Sequence, residues 1–433
     1  MVTEQDKSPL DPNAVWPKYG LKESPYFTTA MRLLGIVPIE NVFSGRAIEI
    51  IKFKRIITSS NSSRSVIVGN FGVGKTSFAN FLRWSLCIEK GNKSKYLTTS
   101  AEIKIQPDWN ALQFLLSTLT SIYTSSIIFD WKKQGINLKT INKLKDYVSI
   151  TKHKGYQGNL WVVGGGYNPS SNSPPILSPE ILENLLISVC KDLMESNKQL
   201  IIQYDNLENM ELKSLAELFR SIRDYLQIEG FHTLFLGSPQ VISALETYGQ
   251  VHSVFSRPYI LESLTESSVL EILKKRCEQL KSIRGNYIKP YDDNTVKEIY
   301  LKLNKNIRFT FKVLEDATVM SEASAPCEIT IEDIKAVQEK EKTEILSKLT
   351  DTQLKIVSAL IDRTQLNQRE LSEITKIGIT NLTTPVKELQ DKGLIVIQQD
   401  EKDKRFKYVR LSDNSYLALF FTSKNKTSKV KET

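Results

Sequence analysis

A β-branched run, Ser65-Val66-Ile67-Val68, leads without interruption into Gly69-Asn70-Phe71-Gly72-Val73-Gly74-Lys75-Thr76. A short apolar run of this kind is typical of a strand buried on both faces of a parallel sheet. The pattern Gly-x-x-x-x-Gly-Lys-Thr, placed between such a strand and a helix over Ser77 to about Glu89, is that of a loop that cradles phosphates. Its glycines let backbone N–H groups converge on anionic oxygens, and the helix N-terminus adds a favourable dipole. On this reading Gly69, Asn70, Phe71, Gly72, Val73, Gly74 and Ser77 surround the phosphates. Lys75 reaches the β- and γ-phosphates, and the Thr76 hydroxyl ligates Mg²⁺. The cofactors expected are ATP and Mg²⁺.

Further strands alternate with helices. Strands are expected at Glu102–Ile105, Gln199–Tyr204 and Thr233–Leu236, and helices at about 47–58, 109–128, 137–148, 179–196 and 211–228. That alternation predicts an α/β fold with a parallel sheet covered on both faces. Asp205 closes its strand about 130 residues after the loop, where a second magnesium ligand belongs; the plainer alternative is a helix cap. Ser238, after the next strand, is placed to sense the γ-phosphate, or simply to make a Gly-Ser-Pro turn. Residues 150–180, with Gly164-Gly165-Gly166 and a Ser/Asn/Pro-rich run, read as an inserted loop. From about 262 the strands stop, and helices are expected at 265–282, 294–303, 308–321 and 330–346.

Hydrophobic and charged contents of 40% and 25% exclude global disorder. Four separated cysteines and three histidines argue against a zinc cluster or a disulfide framework, and fit a reducing compartment. Met1 to Trp16 lacks the apolar core of a signal peptide. Asn110–Phe129 carries nine Asn, Gln, Ser or Thr residues, with Leu112, Leu115, Leu116, Leu119 and Ile122 at helical spacing. It reads as an amphipathic core helix rather than a membrane span. The expectation is a soluble cytoplasmic protein with no membrane partner, nucleoid-associated if it binds DNA.

The order of phosphate loop, Asp205 strand, Gly237-Ser238 strand, helical segment and C-terminal winged helix resembles the AAA+ ATPase superfamily. Within it, the layout is most similar to the archaeal replication-initiator (origin-recognition) group. Gly20–Phe27 and Phe43-Ser44-Gly45-Arg46 with Glu49 resemble the adenine-contacting segment of these ATPases, and Ser256-Arg257 resembles the stretch bearing an arginine finger. Asn306-Ile307-Arg308 resembles the second sensor arginine. The resemblance implies an N-terminal arm (1–45), a parallel-sheet P-loop core (46–260), a helical lid (261–346), a winged helix (347–412) and a tail (413–433). It implies that Arg308 contacts nucleotide from the lid. Arg257 would act in trans, which requires a homo-oligomer or other AAA+ subunits. One departure stands out: where the family places a Glu after the magnesium Asp, this chain has Asn206, whose amide cannot take a proton from water. Glu208 lies near enough in sequence to substitute, and a slow ATPase is expected.

In the C-terminal region Leu354, Ile356, Val357, Leu360 and Ile361 form a helical stripe, and Gln368–Ile374 makes a second helix. Thr380–Lys392 fits a recognition helix with Leu382, Val386 and Leu389 inward. That leaves Thr380, Asn381, Thr383, Thr384 and Lys387 on the outer face for groove or phosphate contacts. Gly393 serves as its C-cap. A hairpin of 394–398 and 406–411 carries Lys402, Lys404, Arg405 and Lys407 at its tip. Residues 345–433 hold 16 lysines and arginines against 11 acids, so they supply +5 of the chain's +9. Together these features predict an ATP-binding protein that engages double-stranded DNA, its nucleotide state controlling assembly or DNA binding. The alternative is a signalling, mobile-element or defence switch whose winged helix binds a partner protein.

Overall fold

Strand β1 (Arg64–Val68) lies inside an all-parallel sheet, flanked by β5 (Phe231–Gly237) and β6 (Tyr259–Ile260). The remaining strands are β2 (Tyr96–Thr98), β3 (Ile103–Lys104) and β4 (Gln199–Asp205), and the path runs β2-β4-β5-β1-β6 with β3 also on β4. The computed structural model describes residues 15–145, 178–282, 287–321, 325–363, 365–399 and 407–420. The chain divides into two compact units, one of residues 27–281 with 300–308, the other of residues up to 26, 282–299 and 309 onward.

The sheet of the first unit has a hydrophobic core on each face, which is why its strands read as unbroken apolar runs. Val66 and Val68 of β1, Ile202 and Tyr204 of β4 and Phe235 of β5 face one core. Ile67, Ile201, Leu234 and Leu236 face the other. Helices α3 (Ala111–Ile128), α4 (Pro179–Glu195) and α5 (Leu212–Ile222) supply the first core, while α1 (Ala47–Thr58) and α2 (Lys75–Arg83) supply the second. Helix α3, with an Asn110/Gln113 capping box, is long and apolar enough to cross a membrane. Its Phe114, Leu115 and Ile122 are nevertheless fully buried in the sheet's core.

The helix expected over 211–228 stops at Ile222. A 3₁₀ turn at Tyr225–Gln227 follows, and Gly230 at φ +76° turns the chain into β5. Downstream of α2 the chain continues as a π-helical turn, Trp84–Ile88. Of the helix expected over 137–148, residues 139–145 are helical and 137–138 are not; residues 146–148, and the inserted loop as far as residue 177, lie outside the described residues. After β5 come α6 (Val241–Glu246) and, past β6, α7 (Glu266–Leu280). Helices α8 (Asp293–Lys302), α9 (Ile307–Met320) and α10 (Ile331–Leu346) occupy the segment expected to be all-helical.

The C-terminal region is a winged helix. Helix α11 (Asp351–Asp362) is followed by β7 (Leu366–Asn367), α12 (Gln368–Thr375) and α13 (Ile379–Asp391). Strands β8 (Ile395–Gln399) and β9 (Lys407–Leu411) then form the hairpin. The three strands pair antiparallel in the order β7-β9-β8. Ile356, Leu360, Leu371, Leu382, Val386, Leu389 and Val409 make its core. The segment read from the sequence as a tail begins with α14 (Asp413–Leu419), capped by Ser412, and its Ala418 and Leu419 belong to that core.

Candidate nucleotide site and winged-helix face

Register decides where the chemistry gathers. Val68 of β1 pairs with Gly237 of β5, and Tyr204 of β4 pairs with Phe235. The chain therefore leaves all three strands at one edge of the sheet, carrying the 69–76 loop, Asp205 and Ser238. Ligands of open α/β sheets sit at this carboxyl edge.

Gly72 and Gly74 adopt φ of +82° and +91°, which open the loop at no steric cost. Lys75 Nζ donates to the carbonyls of Gly69 (2.8 Å) and Asn70 (3.2 Å), folding back along the loop it closes. Burial pulls this ammonium below the usual lysine range, while Glu208 and Asp205 oppose that shift and Arg308 adds to it. Thr76 Oγ1 donates to Asp205 Oδ2 at 2.6 Å, and the Asn206 backbone N–H donates to Asp205 Oδ1 at 2.8 Å. Asp205 is only 4% exposed; burial raises its carboxyl above the usual range, and these two hydrogen bonds only partly offset the rise.

A hydroxyl and a carboxylate side by side suit Mg²⁺, which prefers hard oxygens and keeps most of its shell for water and substrate phosphates. Asn206 itself is left-handed (φ +62°), a conformation Asn tolerates better than most residues. It turns the chain sharply into the 3₁₀ turn Leu207–Asn209. Glu208 is exposed, its Oε2 about 3.5 Å from where a Cβ on Gly237 would stand, and it acts electrostatically on both Lys75 and Asp205. Ser238 is half-buried, and its carbonyl accepts from Val241 N–H, a turn contact.

The loop is braced from both sides. Arg46, left-handed at the start of α1 and 9% exposed, sends Nη2 to the carbonyls of Val73 (3.1 Å) and Glu262 (2.6 Å), and Nη1 to Glu49 (3.2 Å). Asn306 Nδ2 donates to the Phe71 carbonyl at 3.2 Å, and a Cβ on Gly72 would stand 2.1 Å from Asn306 Oδ1. The Arg308 guanidinium lies 4.4 Å from the Phe71 ring centroid. Arg308 is thus brought to the loop. Arg257 is not: Ser256 N–H bonds the Arg64 carbonyl at the start of β1, so the exposed Arg257 sits at the opposite edge of the sheet.

Sequence reasoning missed Arg83. Fully buried, its guanidinium donates to Thr98 Oγ1 (2.7 Å), Asn80 Oδ1 (3.0 Å), Gln203 Oε1 (3.2 Å), Thr99 Oγ1 (3.0 Å) and the Thr99 carbonyl. It ties α2 to the strand that ends in Asp205. The available signal was an arginine set within the apolar stripe Ala79, Leu82, Leu86.

On the winged helix, Thr380, Asn381, Thr383, Thr384 and Lys387 all lie exposed on α13 beside its buried Leu382, Val386 and Leu389. Pro385 falls inside α13 and withholds one backbone N–H. Gly393, at φ +70°, closes the helix as a C′ residue. Lys407 is exposed at the start of β9; Lys402, Lys404 and Arg405 lie outside the described residues.

Residues 46–252 match the model of the KAP family P-loop domain, and residues 347–405 match that of the MarR family. No curated protein matches the chain. Among solved structures, the Aeropyrum pernix ORC2 protein in its ADPNP–ADP complexes is 16% identical. It covers 93% of this chain and 97% of its own, at a TM-score of 0.46. The Aeropyrum pernix ORC1 protein in complex with DNA is 14% identical over 92% of this chain and 96% of its own, at 0.47. The reduced form of MarR from E. coli is 22% identical over 20% of this chain and 68% of its own, at 0.16. The chain thus carries a P-loop NTPase domain of the KAP kind and, towards its C-terminus, a winged helix of the MarR kind.

Proposed function

We propose that this protein binds ATP with Mg²⁺ on the 69–76 loop and engages duplex DNA through α13 and the β8–β9 wing, nucleotide state controlling assembly or DNA binding in the manner of a replication initiator. In this reading Lys75 turns from the loop carbonyls to the β- and γ-phosphates, and the loop N–H groups hold the phosphate oxygens. Thr76 and Asp205 hold the metal, which neutralises phosphate charge. Ser238 and Arg308 report on the γ-phosphate, and Arg257, at the other edge of the sheet, serves the nucleotide of a neighbouring subunit.

The contact of Asn306 and Arg308 with Phe71 carries the reading. Phosphates entering the loop meet the residues that open α9, so filling the site changes what this segment touches. The exposed polar face of α13 and the +5 of residues 345–433 support DNA as the partner.

The test is fluorescence anisotropy of the full chain on a duplex, with ATP, with ADP and without nucleotide, at several salt concentrations. Affinity is expected to fall with salt and to differ at least fivefold between ATP and ADP. Replacing Lys402, Lys404 and Arg405 together is expected to flatten the log–log salt slope by up to about three, roughly one per phosphate contact. Absence of duplex binding at low salt would overturn the DNA assignment in favour of a partner protein.

A further inference from the structure

A cavity of about 400 Å³ lies within the unit that holds the winged helix, walled by α9, α10, α14 and the turn at Gly393-Leu394. It has no part in the nucleotide reading. Its volume falls in the range of small-molecule sites. Apolar walls come from Val313, Val337 and Leu417, and the polar groups are unevenly charged: Asp316, Glu341 and Glu344 against Lys312.

Two of these charges are already engaged. Lys312 donates to Asn414 Oδ1, and Glu344 pairs with Lys348 at 2.7 Å. Asp316 and Glu341 form no ion pair within 4 Å among the described residues; burial raises both carboxyls above their usual range, and the nearby Lys312 charge offsets only part of that rise. A further group makes this more than an acidic cluster. Gln338, 6% exposed, donates through Nε2 to the Leu417 carbonyl at 2.5 Å, while its Oε1 is buried with no hydrogen-bond partner. A buried amide oxygen left unpaired costs free energy that a donor in the cavity would recover.

We infer that this cavity is a binding site for a small organic cation with an apolar body, its ammonium or amidinium set between Asp316 and Glu341, with an N–H donated to Gln338 Oε1. The apolar body lies on Val313, Val337 and Leu417. An anion of the same shape is rejected, because it would meet two carboxylates and an acceptor-only oxygen.

The probes are tryptamine and indole-3-propionate, which share a body and differ in the sign of their charge, titrated calorimetrically into the full chain at pH 8. Tryptamine is expected to bind saturably and at least tenfold more tightly than indole-3-propionate. The double variant Asp316→Asn/Glu341→Gln keeps side-chain shape, and should lose at least tenfold for tryptamine with no loss for the anion. Circular dichroism and melting curves show whether each variant is folded, and Gln338→Met, which removes the acceptor together with the hydrogen bond to the Leu417 carbonyl, supplies a second variant. Equal binding of the two probes, saturable binding of neither, or tryptamine affinity unchanged in folded variants would each overturn the assignment.

Discussion

Thr76 Oγ1 donates to Asp205 Oδ2 at 2.6 Å, joining the first turn of α2 to the end of β4 across 129 residues of chain. The contact sets side by side the hydroxyl and the carboxylate that, in the function proposed here, would hold Mg²⁺. Asp205→Asn is expected to leave ATP binding in EDTA near wild type and to remove most of the gain that Mg²⁺ gives. Lys75→Ala is expected to weaken ATP at least tenfold with or without the metal, because it deletes the loop's own cation. Calorimetry with and without Mg²⁺ separates the two; unchanged affinity of Lys75→Ala would overturn the site.

Arg83 is the buried strut behind that contact. Its replacement by Met would leave Gln203 Oε1, Asn80 Oδ1 and the Thr99 carbonyl facing each other without a donor. Each orphaned buried acceptor costs on the order of 1–3 kcal/mol, so Arg83→Met is expected to lose about 3 kcal/mol or more in urea unfolding. A loss below about 1 kcal/mol would show that the guanidinium is not the strut described.

His232 gives the fold a pH dependence of stated sign. The ring is wholly buried in β5, between Ser63 Oγ (2.9 Å from Nδ1) and Gln199 Oε1 (3.2 Å from Nε2). Burial lowers its pKa from 6.5 to about 4, with Lys95 and Arg64 contributing. Between those values the unfolded chain binds the proton and the folded one does not, so stability falls as pH drops from about 6.5 towards 4. The loss amounts to about 3 kcal/mol by pH 4. Urea melts at pH 7 and pH 4.5 should show His232→Asn losing less on acidification than wild type; equal losses would remove His232 as the cause.

What the sequence disclosed and what it hid follows from the range of the interactions. The 65–76 strand and loop were legible because strand, glycines, Lys75 and Thr76 are local, and the Asp205 position was legible from the apolar run that ends in it. Arg83 was not, because its partners come from β2, from the residues after it and from β4. Helix α14 was read as tail because seven residues from Asp413 to Leu419 carry too short a pattern; its cap and its place in the core come from the fold. The exposed outer face of α13 was legible because helical periodicity alone assigns it.

Asn206 offers the last test. On the proposed reading the residue after Asp205 takes the place of a Glu that would accept the proton of attacking water, and here it is an amide in the left-handed region at φ +62°. An amide orients water without accepting its proton, and general-base assistance is worth roughly 10²–10⁴-fold. Wild-type turnover is therefore expected to be slow while ATP binding is stable, which suits a switch that stays loaded. Glu208, exposed and acting on Lys75 and Asp205, is the carboxylate nearest in sequence to take the role. If it does, Glu208→Gln lowers the residual rate with ATP affinity intact. Asn206→Glu should raise turnover, but a β-carbon with a longer chain tolerates φ +62° less well than Asn, so some of the gain goes into backbone strain. Steady-state phosphate release from the three proteins decides. A fast wild-type rate that Glu208→Gln leaves unchanged would refute the slow switch, since neither residue would then limit or supply the proton transfer.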